Sequence, residues 1–424
     1  QFEFSDRIST LQPSAIREIL KATSQPGVIL FAAGNPAPEA FPTEEVREIT
    51  EKLLTERPID CLQYGVTEGY TPLRERISTY MKQKHNIGRD FDSLLITSGA
   101  QQVMDLATKA LCNEGDTVIC EAPSFIGSLN CFRSYNAKLR GIPVQADGMD
   151  VDELERALQE EKNVRFIYTI PNFQNPAGVT MSLAKRRRVY ELAKQYGVLI
   201  IEDNPYGDLR VAGEHVPAIK SFDEEGIVIY AGSFSKILSP GMRVGYAIAP
   251  ATLIAKMTVG KQAADVHTPM LCQLIVDEWM AHYNVEAHIQ KICDIYRKKL
   301  NLMCDLIDSE LGDFVTYNRP EGGLFIWCAL PDGVDMTAFC QAAVEQKVAV
   351  VPGSAFMTHE SDHPVLPLEF LNAYDEAIVK GMQILGQVKG NFKRVVKITM
   401  EQQPERKKRI LSAIQPSGIP TLGN

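Results

Sequence analysis

Gly232-Ser233-Phe234-Ser235-Lys236-Ile237-Leu238-Ser239-Pro240-Gly241-Met242-Arg243 is the stretch whose reading decides the fold. It follows Gly226-Ile227-Val228-Ile229-Tyr230-Ala231, an apolar run dominated by β-branched residues and too short for a helix, which reads as a buried strand. A lysine thus stands just past the carboxyl end of a strand, at the edge of an open α/β sheet where ligands sit. Hydroxyls and an arginine around that lysine suit a phosphorylated cofactor held covalently as a Schiff base, and pyridoxal phosphate fits the description. Taken alone, the same residues also suit a solvated loop.

Working outward, strands are expected at 94–97, 117–120, 164–169, 198–201, 227–231 and 244–248, alternating with helical patterns. That alternation builds a mostly parallel sheet flanked by helices, so the fold class is α/β. Beyond about residue 285 the character changes to a long helical pattern, Gly322-Gly323-Leu324-Phe325-Ile326-Trp327, a strand at 348–351 and a helix near 375–387. This reads as a smaller α+β domain. The expected division is an N-terminal arm at 1–45 with a helix over 13–22, a large domain at 46–284, a small domain at 285–389 and a tail at 390–424.

Polar residues follow most of the strands at what would be one sheet edge. Ser98-Gly99-Ala100-Gln101-Gln102 leads into a helical run, and free backbone N–H groups at a helix start make an anion site or an ordinary cap. Phe125, in Glu121-Ala122-Pro123-Ser124-Phe125, offers a ring to stack on a flat heterocycle, unless it is core. Asn175, in a Pro-bracketed loop over 170–178, offers an amide to a phenolic oxygen. Asp203, in Ile200-Ile201-Glu202-Asp203-Asn204-Pro205-Tyr206, offers a carboxylate that would keep a pyridine nitrogen protonated. Its bland reading is a helix cap. Gly34, in Gly34-Asn35-Pro36-Ala37-Pro38, permits close approach of a small substrate to the backbone.

In this order and spacing, Asn175-Pro176-x-Gly178, Asp203-x-Pro205-Tyr206 and Ser233-x-Ser235-Lys236 with Arg243 resemble the fold-type I pyridoxal-phosphate enzymes. Within them the chain is similar to class I/II aminotransferases, especially the 2-aminoadipate/kynurenine and multi-substrate branch, from roughly residue 5 to 388. The resemblance implies transfer of an amino group from an amino acid to a 2-oxo acid through a Lys236 Schiff base. It implies Asp203 at the pyridinium, Asn175 and Tyr206 at the ring oxygen, and Phe125 on the ring face. The phosphate falls to the Ala100 and Gln101 backbone, Ser233, Ser235 and Arg243, and the substrate to Gly34 and Asn175. Family members usually carry serine at the position of Ala100. Tyr64 matches a tyrosine that reaches the phosphate across a dimer interface, which implies a homodimer with shared active sites.

Two departures stand out. The arginine that grips the substrate carboxylate in the family falls, by count from Phe356 and back from Ile378, on Pro367, which has no guanidinium. Three explanations compete: the sequence is altered near His359 to Glu369, Arg17 or a neighbouring lysine anchors the carboxylate, or the cofactor serves another carbanion reaction such as β-elimination. The second departure is the tail, Lys408 to Asn424, which resembles the start of a tryptophanyl-tRNA synthetase. It is far too short to build an ATP site, so it is expected to be a poorly ordered appendage without that activity.

Composition narrows the classes. Hydrophobic residues make up 45% and charged residues 23%, ordinary for a packed globular chain of 424 residues. A net charge of -9 argues against nucleic acid or an anionic membrane as partner, since both need a concentrated basic face. Nine cysteines without a Cys-x-x-Cys pair argue against a zinc site or disulfide framework, and no metal is expected. Gln1-Phe2-Glu3-Phe4-Ser5-Asp6 lacks a signal pattern and no apolar run approaches bilayer length, so the reading is cytoplasmic. An aminotransferase-like effector domain of a transcriptional regulator lacking its DNA-binding domain is the alternative from another class.

Overall fold

The computed structural model describes residues 2–9, 11, 26–359, 361 and 363–402. The helix expected over 13–22, Arg17 and the tail beyond Gln402 lie outside the described residues. The chain divides into two compact units. The first takes in Pro38–Tyr296 and Glu321–Gly323, and the second takes in residues 26–37, Arg297–Pro320 and the chain from Leu324. The division therefore falls inside the helix Val285–Leu306 rather than at its start, where the sequence pattern changes. The helix Asp375–Gln402 likewise runs on through the start of the segment expected to be a poorly ordered tail.

Strands are numbered in chain order. β1 is Ile29–Leu30, β2 Asp92–Thr97, β3 Thr117–Ala122, β4 Lys138–Gln145, β5 Gly148–Met149, β6 Val164–Thr169 and β7 Leu199–Asp203. β8 is Val228–Ser233, β9 Gly245–Pro250, β10 Thr316–Tyr317, β11 Phe325–Ala329, β12 Val348–Ala349 and β13 Val365–Glu369. In the first unit one eight-stranded sheet has the order β2-β9-β8-β7-β6-β3-β4-β5. β8, β7, β6, β3 and β4 run parallel, while β9 is antiparallel to both β8 and β2. β2 therefore points the same way as β8, and the carboxyl ends of β2, β3, β6, β7 and β8 share one edge.

The central strands read as apolar runs because both of their faces are covered. Ile119, Ile167, Ile200 and Val228 meet Leu154, Ala157, Val189 and Ala193 from the helices Val151–Glu160 and Leu183–Tyr196. The second of these helices is set by a Ser182 cap accepting from Lys185 N–H and by Gly197 in the left-handed region at φ 66°. β4 escapes the sequence reading for a physical reason. Only Ile142 of its eight residues is buried, and Gly141 and Pro143 interrupt it near the sheet margin.

In the second unit β1 pairs in parallel with β12, and β10-β11-β13 form an antiparallel sheet. Pro367 sits in β13 opposite Trp327. Glu369 N–H donates outward to Phe31 O at 2.8 Å, so the nitrogen two residues earlier also faces away from β11. A proline there removes no ladder bond from the β11 pairing. Gly34, at φ 66°, lies in this unit with the ring of Phe325 3.2 Å from where a Cβ would stand.

Candidate functional site

The shared edge of the large sheet collects the residues that the strand ends present. β7 delivers two consecutive carboxylates to opposite faces, as strand geometry requires. Glu202 turns to the structural side and accepts from the backbone N–H groups of Ile219 and Lys220 at 2.8 and 2.7 Å. Asp203 turns to the other side, where Tyr168 donates its hydroxyl to Oδ2 at 2.7 Å and Ser128 donates to Tyr168 at 2.9 Å. Burial pushes the Asp203 carboxyl up to about 6, with the Tyr168 hydrogen bond pulling the other way.

Asn175 and Tyr206 meet directly, amide nitrogen to hydroxyl, at 2.9 Å, and burial raises the Tyr206 phenol well above its ordinary range. Lys236 follows β8, with its amine 5.9 Å from the centre of the Tyr206 ring. Ser233 Oγ accepts from Ser235 N–H at 3.0 Å, which folds the turn back beneath the lysine.

A second cluster lies at the end of β2. The helix Ala100–Leu111 opens after Gly99 with no side-chain cap, so its first N–H groups face outward. Arg243, at φ 53°, donates through Nη2 to Ser98 O at 3.3 Å. Two glycines make this approach feasible. A Cβ on Gly99 would stand 2.2 Å from Arg243 Nη2, and one on Gly245 would stand 2.7 Å from Gly99 C. Gln101 donates to Gly127 O at 2.9 Å, and the Phe125 ring folds over Gly127.

The edge also holds buried polar atoms without a hydrogen-bond partner: Asp203 Oδ1, Asn175 Oδ1 and Ser124 Oγ. Leaving such atoms unmet costs roughly 1–3 kcal/mol each, so a ligand bearing donors fits here. A protonated ring nitrogen suits Asp203 Oδ1. With Asn175 Nδ2 donating to the Tyr206 oxygen, the phenol keeps its own O–H to donate to a phenolic oxygen. The residues present therefore fit pyridoxal phosphate, with an anion cradle at Gly99–Gln101 and Arg243.

The sequence reading groups Lys236, Asp203, Asn175, Tyr206, Ser233, Ser235, Ala100, Gln101, Phe125 and Arg243 in one domain, and all of them lie in the first unit. Tyr64 does not join them; it is 80% exposed and packs edge-on to His267. Gly34 belongs to the second unit. The sequence reading misses Tyr168, Ser128 and Glu121. Glu121 is buried, accepts from Ile170 N–H and Thr169 Oγ1, and is raised to about 7 by burial. Only the strand parity of Tyr168, adjacent to β7, carries any signal of its role.

The model of the aminotransferase class I and II family matches residues 26–363. The chain is 41% identical over 388 residues to aromatic-amino-acid aminotransferase 1 of Thermococcus litoralis, covering 91% of this chain and 93% of the relative. The crystal structure of a multiple substrate aminotransferase from Thermococcus profundus superposes with a TM-score of 0.88 at 38% identity, covering 92% and 98% of the two chains. LysN, the alpha-aminoadipate aminotransferase of Thermus thermophilus solved with N-(5'-phosphopyridoxyl)-L-leucine, gives 0.85 at 35% identity, covering 92% and 98%.

Proposed function

The chain belongs to the class I and II aminotransferases and is a pyridoxal-phosphate-dependent enzyme, and from this premise we propose that Lys236 holds the cofactor and moves the proton during amino transfer from an amino acid to a 2-oxo acid. The observation that carries the assignment is Asp203 Oδ1, buried and unpartnered one strand away from Lys236. When bound, pyridoxal phosphate supplies an electron sink for the charge left as a proton leaves the substrate α-carbon. Asp203 would hold the proton at the ring nitrogen, and Asn175 and Tyr206 the phenolic oxygen. Phe125 would cover one ring face. The Ala100 and Gln101 backbone, Ser233, Ser235 and Arg243 would hold the phosphate.

Among the described residues, no helix is long and apolar enough to cross a membrane. We assign the protein to the cytoplasm, in keeping with its nine free cysteines, with no role in nucleic-acid or membrane binding. The face around Tyr64 exposes Ile59, Leu62 and Val66 as well, an apolar surface that a second copy of the chain would cover. In that homodimer each Tyr64 would reach the other copy's phosphate.

The reading is tested by the absorbance of the purified protein with pyridoxal phosphate, before and after a panel of amino acids that includes glutamate, aromatic residues and 2-aminoadipate. Conversion of the long-wavelength cofactor band to a pyridoxamine-like band supports it. Pyruvate release without an amino acceptor would instead indicate β-elimination.

Two substitutions extend the test. Gly99→Ala forces a Cβ against Arg243 Nη2 and is expected to weaken pyridoxal-phosphate affinity by about tenfold, read by titration of the cofactor-free protein. Pro367→Arg restores the guanidinium that the resemblance expects, at a position whose nitrogen leaves the β11 ladder intact. It is expected to lower the half-saturating amino-acid concentration about tenfold, and an unchanged value rejects the idea that Pro367 weakens carboxylate binding.

A further inference from the structure

Lys261 lies on the helix Ala251–Ala264, fully buried and unused by the chemistry above. Lysine is seldom fully buried unless paired, and here the pairing leads somewhere specific. Its amine donates to both Asp265 carboxylate oxygens at 2.9 Å and to Gln102 Oε1 at 2.6 Å. Asp265 Oδ2 in turn accepts from Ser98 Oγ and from Gln102 Nε2, each at 2.8 Å. Gln102 Oε1 also accepts from Ser98 N–H at 2.8 Å, and Ser98 O is the acceptor for Arg243. Thus the backbone N–H, hydroxyl and carbonyl of Ser98, the residue before Gly99, are all fixed by one network.

The turn that carries Asp265 shows what this arrangement demands of the backbone. Val266 has φ 67°, a left-handed conformation that a β-branched residue rarely adopts. The strain is located beside the carboxylate that the network uses. Thr268, at the end of the same turn, places its Oγ1 3.0 Å from Ser98 Oγ. An unneutralised Asp265 would repel an incoming phosphate at the helix start and compete for Arg243, and Lys261 cancels that charge.

We propose that Lys261 and Asp265 are positioning residues for the phosphate cradle, setting Ser98, Gly99 and Arg243 in their anion-binding arrangement without touching the anion. The inference rests on the cofactor reading given above. It separates the network from the chemistry at Lys236, and its signature is selectivity for the phosphorylated form of the cofactor.

The test compares pyridoxal phosphate with pyridoxal, which lacks the phosphate, in titrations of the full chain freed of cofactor. Lys261→Met is expected to raise the dissociation constant for pyridoxal phosphate by about tenfold or more while moving that for pyridoxal less than about twofold. Turnover at saturating pyridoxal phosphate is expected to stay within about twofold of the unaltered enzyme. Ser98→Ala, a milder change that cuts the same link, is expected to show the same selective loss at about threefold, and decides the matter if Lys261→Met does not fold. Equal weakening of both ligands, or unchanged affinity for pyridoxal phosphate, overturns the positioning role. An unaltered chain that takes up neither compound overturns the cofactor reading instead.

Discussion

Lys236→Ala lowers transamination turnover by about 10^4-fold or more, because one substitution removes both the amine that holds the cofactor and the base that moves the α-proton. The position of the lysine makes the loss hard to compensate. It stands in the turn directly after β8, held by Ser235 N–H to Ser233 Oγ and Leu238 N–H to Phe234 O, beside β7, which carries Asp203 in register with Ala231. The nearby hydroxyl of Tyr206 accepts from Asn175, and burial holds its own proton tightly at neutral pH, so it is a poor substitute base. The measurement is single-turnover conversion of the cofactor band with glutamate. A Lys236→Ala protein that kept about a tenth of the turnover would remove Lys236 from the chemistry. Added methylamine partly restoring the rate would separate loss of the base from loss of the fold.

How much of this is legible in the sequence depends on where each partner lies. Asp203, Asn175, Ser233 and Lys236 each follow a buried apolar strand, and parallel strands put their carboxyl ends on one edge, so local pattern plus one topological rule assembles them. Tyr168 is hidden because it sits inside such a strand and looks like core; only the pairing of β6 with β7 reveals that its hydroxyl faces Asp203. Lys261 is hidden more deeply: its i,i+4 partner Asp265 looks like an ordinary surface pair, while the groups the pair reaches, Gln102 and, through Asp265, Ser98, lie far upstream in the chain. β13 gives no strand signal because it contains Pro367, and it pairs nonetheless because the affected nitrogen points outward from the ladder. Local rules thus find strand ends, whereas side chains that reach across elements must wait for the fold.

Asp203→Asn is the second large effect, and its sign changes with the quantity measured. With cofactor, the ionised carboxylate stabilises a protonated ring nitrogen, and an amide cannot supply that charge; kcat/KM falls on the order of 10^2- to 10^3-fold. Without cofactor the same carboxylate is a liability. Burial raises Asp203 from 3.8 to about 6 and Glu121 from 4.5 to about 7, so the folded protein retains protons that the unfolded chain has released. Their stabilising contribution is complete below the unfolded values and is lost as pH rises through about 6 to 7. Asp203→Asn removes its share of that fall, on the order of 3 kcal/mol, and leaves the part of the Glu121 share that burial causes, since the Asp203 charge supplies the rest. Thermal unfolding of the cofactor-free protein from about pH 4 to 8 reads this stability effect, and pyridoxal-phosphate titration over the same range reads the role at the ring nitrogen. Affinity should climb through about pH 6 in the unaltered protein, because only ionised Asp203 meets the ring nitrogen, and should be flatter in the variant. A variant whose affinity keeps the same climb would move the proton-holding role away from Asp203.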